Sequence, residues 1–363
     1  VSHLFDPLDI RGTRLRNRIF TAPMCQYSVM TRDGVPTPWH LMHLGSIAAG
    51  GSSLVIAEAT AVTPGGRISD RDTGIWNDDQ VDAWRPIARF IAEQGAVPGI
   101  QLAHAGRKAS TWSPWGEDGR SGSIPADSGG WTALAPSPIA FHGLAVPEEL
   151  DLEGIDRVVD AFTAAARRSV KAGFGMVEIH AAHGYLLHEF LSPASNVRVD
   201  AYGGSLENRA RLLLRVVASV REAIGDLPLF VRFSASEWVP TGWDVDECAT
   251  VAQWCADAGA DFFDISSGGN VPADIPVGPG YQVPFAARIR ELTGLPVSAV
   301  GIITEPAQAA EVVASGQADA VSLARELLRD PHFPLRAAHE LGVEVDYWPG
   351  QYLRATWRTP PVP

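Results

Sequence analysis

Short runs of consecutive apolar residues alternate along the chain with longer stretches in which apolar positions recur every three or four residues. The short runs, at residues 18–20, 54–58, 97–102, 176–180, 229–233, 262–265, 297–300 and 320–323, read as strands. The periodic stretches, at 40–49, 79–94, 151–172, 205–224, 245–257, 284–292, 306–314 and 333–340, read as amphipathic helices, so each strand is followed by a helix. Near-continuous apolar strands separated by helices imply a parallel sheet covered on its outer face. Eight such units predict an α/β fold of one closed (β/α)8 TIM barrel rather than an open sheet. The competing doubly wound dinucleotide fold needs a G-x-G-x-x-G turn between strand and helix, and the chain has none.

Three segments depart from the repeat. Residues 4–10 and 13–16 flank Arg11-Gly12 as an N-terminal hairpin closing the barrel bottom. Residues 103–149 are too long for an ordinary connection after the third strand. They carry Trp112, Trp115 and Trp131 among many Gly, Ser and Pro residues, which predicts an excursion over the barrel mouth. Residues 347–363 read as a tail with no core of its own. No low-complexity linker divides the chain, so residues 1–363 are expected to form a single domain.

Composition narrows the function. The 363 residues are 46% hydrophobic and 20% charged, enough to bury a full core. The formal net charge is -13, and Lys108 and Lys171 are the only lysines among 29 basic residues. No basic run exists to track a phosphate backbone, so nucleic acid is not an expected partner. The first residues lack an export signal, and no apolar run approaches the roughly 18 residues of a membrane span; a cytoplasmic protein is expected. Cys25, Cys248 and Cys255 offer neither a disulfide framework nor metal-type spacing, which leaves cysteine chemistry to one thiol acting alone.

Reacting groups of such barrels sit at the carboxyl ends of strands. The fourth strand ends His180-Ala181-Ala182-His183-Gly184-Tyr185, and all three of its polar side chains can converge on the mouth. Paired imidazole N–H groups suit an oxygen that gains negative charge, and a phenol that stays protonated at neutral pH can deliver a proton. Taken alone, H-x-x-H favours a metal site or satisfied polar residues; zinc would need a third ligand, with His188 or Glu189 nearest in sequence. At the end of the first strand, Cys25 is either an inert small hydrophobe or a thiol lying against a planar ring.

An ordered set of motifs decides between these readings: Ala22-Pro23-Met24-Cys25 with Tyr27, Gln101-Leu102-Ala103-His104-Ala105-Gly106-Arg107-Lys108, His180-x-x-His183-x-Tyr185, Tyr202-Gly203-Gly204-Ser205-x-x-Asn208-Arg209, Val300-Gly301 and Arg325-Glu326-Leu327-Leu328-Arg329-Asp330-Pro331. From Leu4 to about Tyr352 the chain resembles the Old Yellow Enzyme family. Cys25, Tyr27 and the Gln351-Tyr352-x-Arg354 tail are similar to the class of bacterial xenobiotic reductases and thermophile ene-reductases. The resemblance implies an FMN-dependent ene-reductase that takes hydride from NADPH or NADH and reduces α,β-unsaturated carbonyl or nitro compounds. Nitro-ester or quinone reduction is the alternative within the family, and a metal-dependent hydrolase the alternative outside it.

The same resemblance assigns roles. Ala22, Pro23, Met24, Cys25, Ala59, Gln101, His180 and Arg232 would contact the flavin, with Arg232 beside the edge that becomes anionic. A buried ion pair between Arg232 and Glu178 on the neighbouring strand is the alternative reading of that guanidinium, and both uses can hold. Gly301, Ala324 and Arg325 would take the phosphate after the seventh and eighth strands; glycine is frequent in the family where Ala324 stands. Tyr27, His180, His183, Tyr185 and Arg354 would bind substrate, with Tyr185 as acid, and Lys108 would lie near the flavin. Trp39, Ile302 and the excursion's tryptophans would shape the pocket. Arg354 would enter a neighbouring subunit, implying a homodimer or dimer-built tetramer, although Ala355-Thr356-Trp357-Arg358 follows it where the family commonly has Gly-Trp. Ser205 reads as a helix cap, which makes its segment structural.

Overall fold

The computed structural model describes residues 3–115 and 119–357. Positions 116–118 of the expected excursion and 358–363 of the expected tail, Arg358 included, lie outside the described residues. The strands in chain order are β1 (Leu8–Ile10), β2 (Thr13–Leu15), β3 (Ile19–Thr21), β4 (Leu54–Ala61), β5 (Val97–Ala103), β6 (Leu134–Ala135), β7 (Glu148–Glu149), β8 (Met176–Ala181), β9 (Leu229–Ser234), β10 (Phe262–Ser266), β11 (Val297–Ala299) and β12 (Ala320–Leu323). Of these, β3-β4-β5-β8-β9-β10-β11-β12 close into a parallel barrel, which is the architecture that the alternating pattern predicts. The antiparallel β1–β2 hairpin turns at Arg11-Gly12, and the excursion contributes the small β6–β7 pair.

The helices are α1 (Pro38–Ala49), α2 (Asp78–Glu93), α3 (Leu152–Ala172), α4 (Leu186–Leu191), α5 (Leu206–Ile224), α6 (Val245–Asp257), α7 (Val283–Thr293), α8 (Pro306–Ala314), α9 (Arg325–Arg329) and α10 (Phe333–Glu340). Side-chain caps set several starts: Asn77 accepts from the N–H of Gln80, Asp151 from Gly154, Ser205 from Asn208, and Asp244 from Asp246 and Glu247. The outward face of every barrel strand is sealed by helices, so strands such as β4 and β8 are buried along their whole length.

The barrel interior is filled in layers. At the bottom, Phe20, Leu54, Ile56, Met176, Phe230, Phe262 and Ala320 form one apolar cluster with Ile10 and Leu15 of the hairpin. Phe230 and Phe262 stack with centroids 4.6 Å apart. Toward the carboxyl ends the same inward positions turn polar. Gln101 lies opposite Glu178 on the next strand, His180 opposite Arg232, and Arg232 opposite Asp264. Side chains two apart on a strand share a face, so Met176, Glu178 and His180 climb from apolar plug to polar mouth.

Candidate active site

The register places Arg232 between two acids. Its Nε pairs with Oδ2 of Asp264 at 2.9 Å, and both side chains are buried. The alternative partner, Glu178, does not take the ion pair: its carboxyl accepts from Gln101 Nε2 at 2.8 Å. Desolvation first and the nearby Asp264 second push the Glu178 carboxyl above its ordinary range, against the pull of Arg232, so one of two adjacent acids keeps its proton. Asp264 is held in turn by Ser298 Oγ at 2.7 Å.

The end of β8 is built on a left-handed turn. His183 has φ +59, and Gly184 follows at φ +71 against the backbone of Gly269 and Asn270, where a Cβ would meet the Gly269 carbonyl at 2.4 Å. His183 N–H donates to Ser234 Oγ at 2.9 Å, and Lys108 Nζ donates to the His183 and Gly269 carbonyls. The turn packs His180 edge-on to both His183 and Tyr185, with centroids 5.2 and 5.0 Å away. Burial first and the positive charge of Arg232 second hold both imidazoles well below their usual pKa, so both are neutral at neutral pH. Burial pushes the Tyr185 phenol above its usual value and keeps its proton in place.

Neutral rings make the donors traceable. His180 Nδ1 accepts the Ala182 N–H at 3.2 Å, which puts the His180 proton on Nε2, facing His183 Nδ1 at 3.5 Å. His183 Nε2 lies 2.8 Å from Ser266 Oγ, and that hydroxyl reaches Gln282 Oε1 at 3.2 Å. Ser266, Gln282 and Asp264 were not singled out in the sequence. Asp264 and Ser266 had a signal, the pair of polar residues at alternate positions in Phe262-Phe263-Asp264-Ile265-Ser266, an interruption of an otherwise apolar strand; Gln282, ahead of α7, had none.

Cys25 is half-buried beyond β3. Burial first, then Glu58 and Asp72, raise its thiol well above the ordinary value, against hydrogen bonds involving the Ala59 backbone and the Tyr27 phenol. It is therefore a neutral thiol rather than a nucleophilic thiolate. Tyr27 sits at φ +48 and meets the Trp115 ring edge-on at 5.1 Å. Trp39 donates to Gln26 Oε1 at 2.9 Å, and the backbone of Gln26 donates to Glu58, which also faces His40 at 3.1 Å.

Beyond β11 and β12 a cavity of about 180 Å³ is lined by Gly301, Ile302, Thr304, Ala324 and Arg325 among others. Gly301 has φ +122, and the N–H groups of Gly301, Ala324 and Arg325 reach no backbone carbonyl among the described residues. Free backbone donors beside a guanidinium are the donor set that a phosphate needs, so these residues fit a phosphorylated flavin. Arg354 lies apart on the exposed turn Gly350–Ala355. Of the alternative metal ligands, His188 Nδ1 accepts from Gly184 N at 2.9 Å and Glu189 Oε1 from Arg107 N at 2.8 Å. Among the described residues no group of three or more His, Cys, Asp or Glu is arranged to hold a metal ion.

A parallel barrel with free backbone donors beside a guanidinium after its last two strands and a neutral imidazole–phenol cluster at its mouth has the arrangement of a barrel enzyme that works with a phosphorylated cofactor. The chain belongs to the NADH:flavin oxidoreductase / NADH oxidase family, whose model matches residues 3–344. It is similar to the NADPH dehydrogenase of Geobacillus thermodenitrificans, 48% identical over 356 residues that cover 98% of each chain. It is also similar to the NADPH dehydrogenase of Bacillus subtilis, 46% identical across 97% of this chain and 98% of the relative. Its fold matches the Old Yellow Enzyme homologue from Zymomonas mobilis with a TM-score of 0.79, at 30% identity and 98% coverage of both chains. The resemblance read from the sequence therefore holds, and with it FMN as bound flavin and a reduced nicotinamide as electron donor.

Proposed function

We propose that the protein is an NAD(P)H-dependent ene-reductase acting on the C=C bond of α,β-unsaturated carbonyl or nitro compounds. The observation that carries this reading is the packing of His180, His183 and Tyr185 above the Arg232–Asp264 pair. When bound, FMN supplies a two-electron carrier between the reduced nicotinamide and the acceptor. Ala22, Pro23, Met24, Cys25, Ala59, Gln101, His180 and Arg232 would hold its ring, and Gly301, Ala324 and Arg325 its phosphate. His180 and His183 grip the acceptor's oxygen as it gains charge, and Tyr185 delivers a proton to the carbon that does not receive hydride. The Cys25 thiol and the fixed charge of Arg232 tune the site without entering the bond-making.

Replacing Tyr185 by Phe is expected to slow cyclohex-2-enone turnover roughly 10²-fold while bound flavin is still reduced by NADPH at the normal rate. An unchanged enone rate would remove Tyr185 from the acid role. The aromatic residues Tyr27, Trp39 and Trp115 favour flat acceptors as a second reading, in which quinones and nitro esters are reduced rather than a C=C bond; rates across acceptor classes separate the two.

The described residues from His3 to Trp357 support one barrel domain, with 103–115 and 119–149 as cover and 347–357 as tail. Exposed Tyr352 and Leu353 beside Arg354 support docking of this tail on a second copy, as in a homodimer or dimer-built tetramer. Among the described residues no helix is long and apolar enough to cross a membrane. The unpaired Cys25, Cys248 and Cys255 support a reducing, cytoplasmic setting.

A further inference from the structure

Ser266 has one hydroxyl proton and two acceptors for it. His183 Nε2 lies 2.8 Å away and Gln282 Oε1 3.2 Å away. Gln282 Oε1 already accepts from Ser267 Oγ at 2.6 Å, so it loses little when Ser266 turns from it. With the Ser266 proton on Gln282, the serine oxygen accepts from His183 Nε2–H, and His183 Nδ1 is a bare acceptor facing His180 Nε2–H. The two imidazoles are then spent on each other, and His183 has no N–H for a substrate.

With the Ser266 proton turned to His183 Nε2, the ring must carry its own proton on Nδ1. Two N–H groups then lie 3.5 Å apart, cannot bond to each other, and are both free for one oxygen that sits beside the pair. We propose that Ser266 is a positioning residue that sets the His183 tautomer, and so converts the imidazole pair from a closed couple into a two-pronged grip on the acceptor's oxygen. This rests on the reading that His183 binds that oxygen. Burial keeps both rings neutral, the condition under which a tautomer choice exists.

The test uses FMN-loaded protein labelled with ¹⁵N-histidine and cyclohexanone as a non-reducible carbonyl probe. Ketone binding is expected to move His183 Nδ1 into the protonated range in the parent protein and not in Ser266→Ala. The same variant should raise the KM for cyclohex-2-enone about tenfold while FMN content and flavin reduction by NADPH stay at parent values. Ser266→Thr, which keeps the hydroxyl, should recover most of the loss. A Ser266→Ala protein that binds enone within twofold of the parent and still shows Nδ1–H on ketone binding overturns the inference. His183→Ala separates the two ideas. If it weakens enone binding while Ser266→Ala does not, only the serine's role falls. If it leaves enone binding intact, the grip itself fails and the serine's role with it.

Discussion

The two ends of the barrel are built from the same eight strands and have opposite physics. The bottom is an apolar plug of Phe20, Ile56, Met176, Phe230 and Phe262 closed by the hairpin, and its charged groups, Arg18, Asp261 and Asp319, lie at the strand starts around that plug. The mouth buries Glu178, His180, Arg232 and Asp264 on three adjacent strands, with His183 half-buried beside them. Backbone strain is divided the same way. Of the seven non-glycine residues at positive φ among the described residues, six (Tyr27, Arg32, Ser110, His183, Trp238 and Ile302) lie in loops leaving the carboxyl ends of strands. The bottom supplies cohesion. The mouth spends part of it to hold charge and left-handed backbone where acceptor and flavin must be held.

The largest effect expected from breaking this division is at Arg232. Exchange for Met leaves Asp264 and Glu178 facing each other without a cation, which should cost about 4 kcal/mol of stability and most of the bound FMN. Urea unfolding of the FMN-free protein and the flavin-to-protein absorbance ratio read the two parts. A stable, fully yellow variant would show that the cation is dispensable to the mouth. At the bottom, Phe230→Ala should cost about 3 kcal/mol through its cavity, yet leave KM and kcat for cyclohex-2-enone at parent values at 20 °C. A changed KM there would mean that the ends are mechanically coupled.

The difference between the ends also explains what was legible in the sequence. Strands such as Met176–Ala181 and Ala320–Leu323 are buried on both faces and predominantly apolar, so their runs stood out within a residue or two of the observed bounds. The His180, His183 and Tyr185 cluster was visible because one turn carries all three. The partner of Arg232 was not. Asp264 lies 32 residues away on β10 while Glu178 lies on β8, both strands flank β9, and only barrel register decides between them. Ser266 was hidden for a related reason: its link to His183 spans 83 residues and depends on a left-handed turn. The β6–β7 pair inside the excursion had no periodicity to announce it, being two residues per strand.

A smaller effect, spread over pH, should distinguish the ends again. Burial pushes the Glu189 carboxyl up to about 8 from an ordinary 4.5, against Arg107 and Lys108. The folded chain therefore keeps a proton that the unfolded chain has released. The stabilisation is complete below about 4.5 and is lost as pH rises through 8, at about 1.4 kcal/mol per pH unit within that window. Glu189→Gln should remove this slope, so its urea midpoint gains on the parent's between pH 5 and 8. Parallel curves for the two proteins would mean that the carboxyl is ionised in the fold. Phe230→Ala, in a layer without titrating groups, should shift stability equally at every pH.

The smallest effect concerns the seventh left-handed residue, Arg11, which sits at the bottom and has no part in the site. It precedes Gly12, both at positive φ (46 and 77), in the two-residue link between β1 and β2. Such hairpins favour Asn-Gly, because Asn tolerates the left-handed region that a long side chain enters at a cost. Arg11 also pairs with Asp226 and Asp261, but its side chain is 38% exposed and these contacts are worth little in water. Arg11→Asn should therefore raise stability by no more than about 1 kcal/mol, with FMN content and enone kinetics unchanged. The same exchange at His183, also left-handed, should leave the turn intact and remove the imidazole from the mouth. If Arg11→Asn disturbed turnover as much as His183→Asn, left-handed backbone would matter for its own sake, and the contrast between strain that serves a turn and strain that aims a side chain would fail.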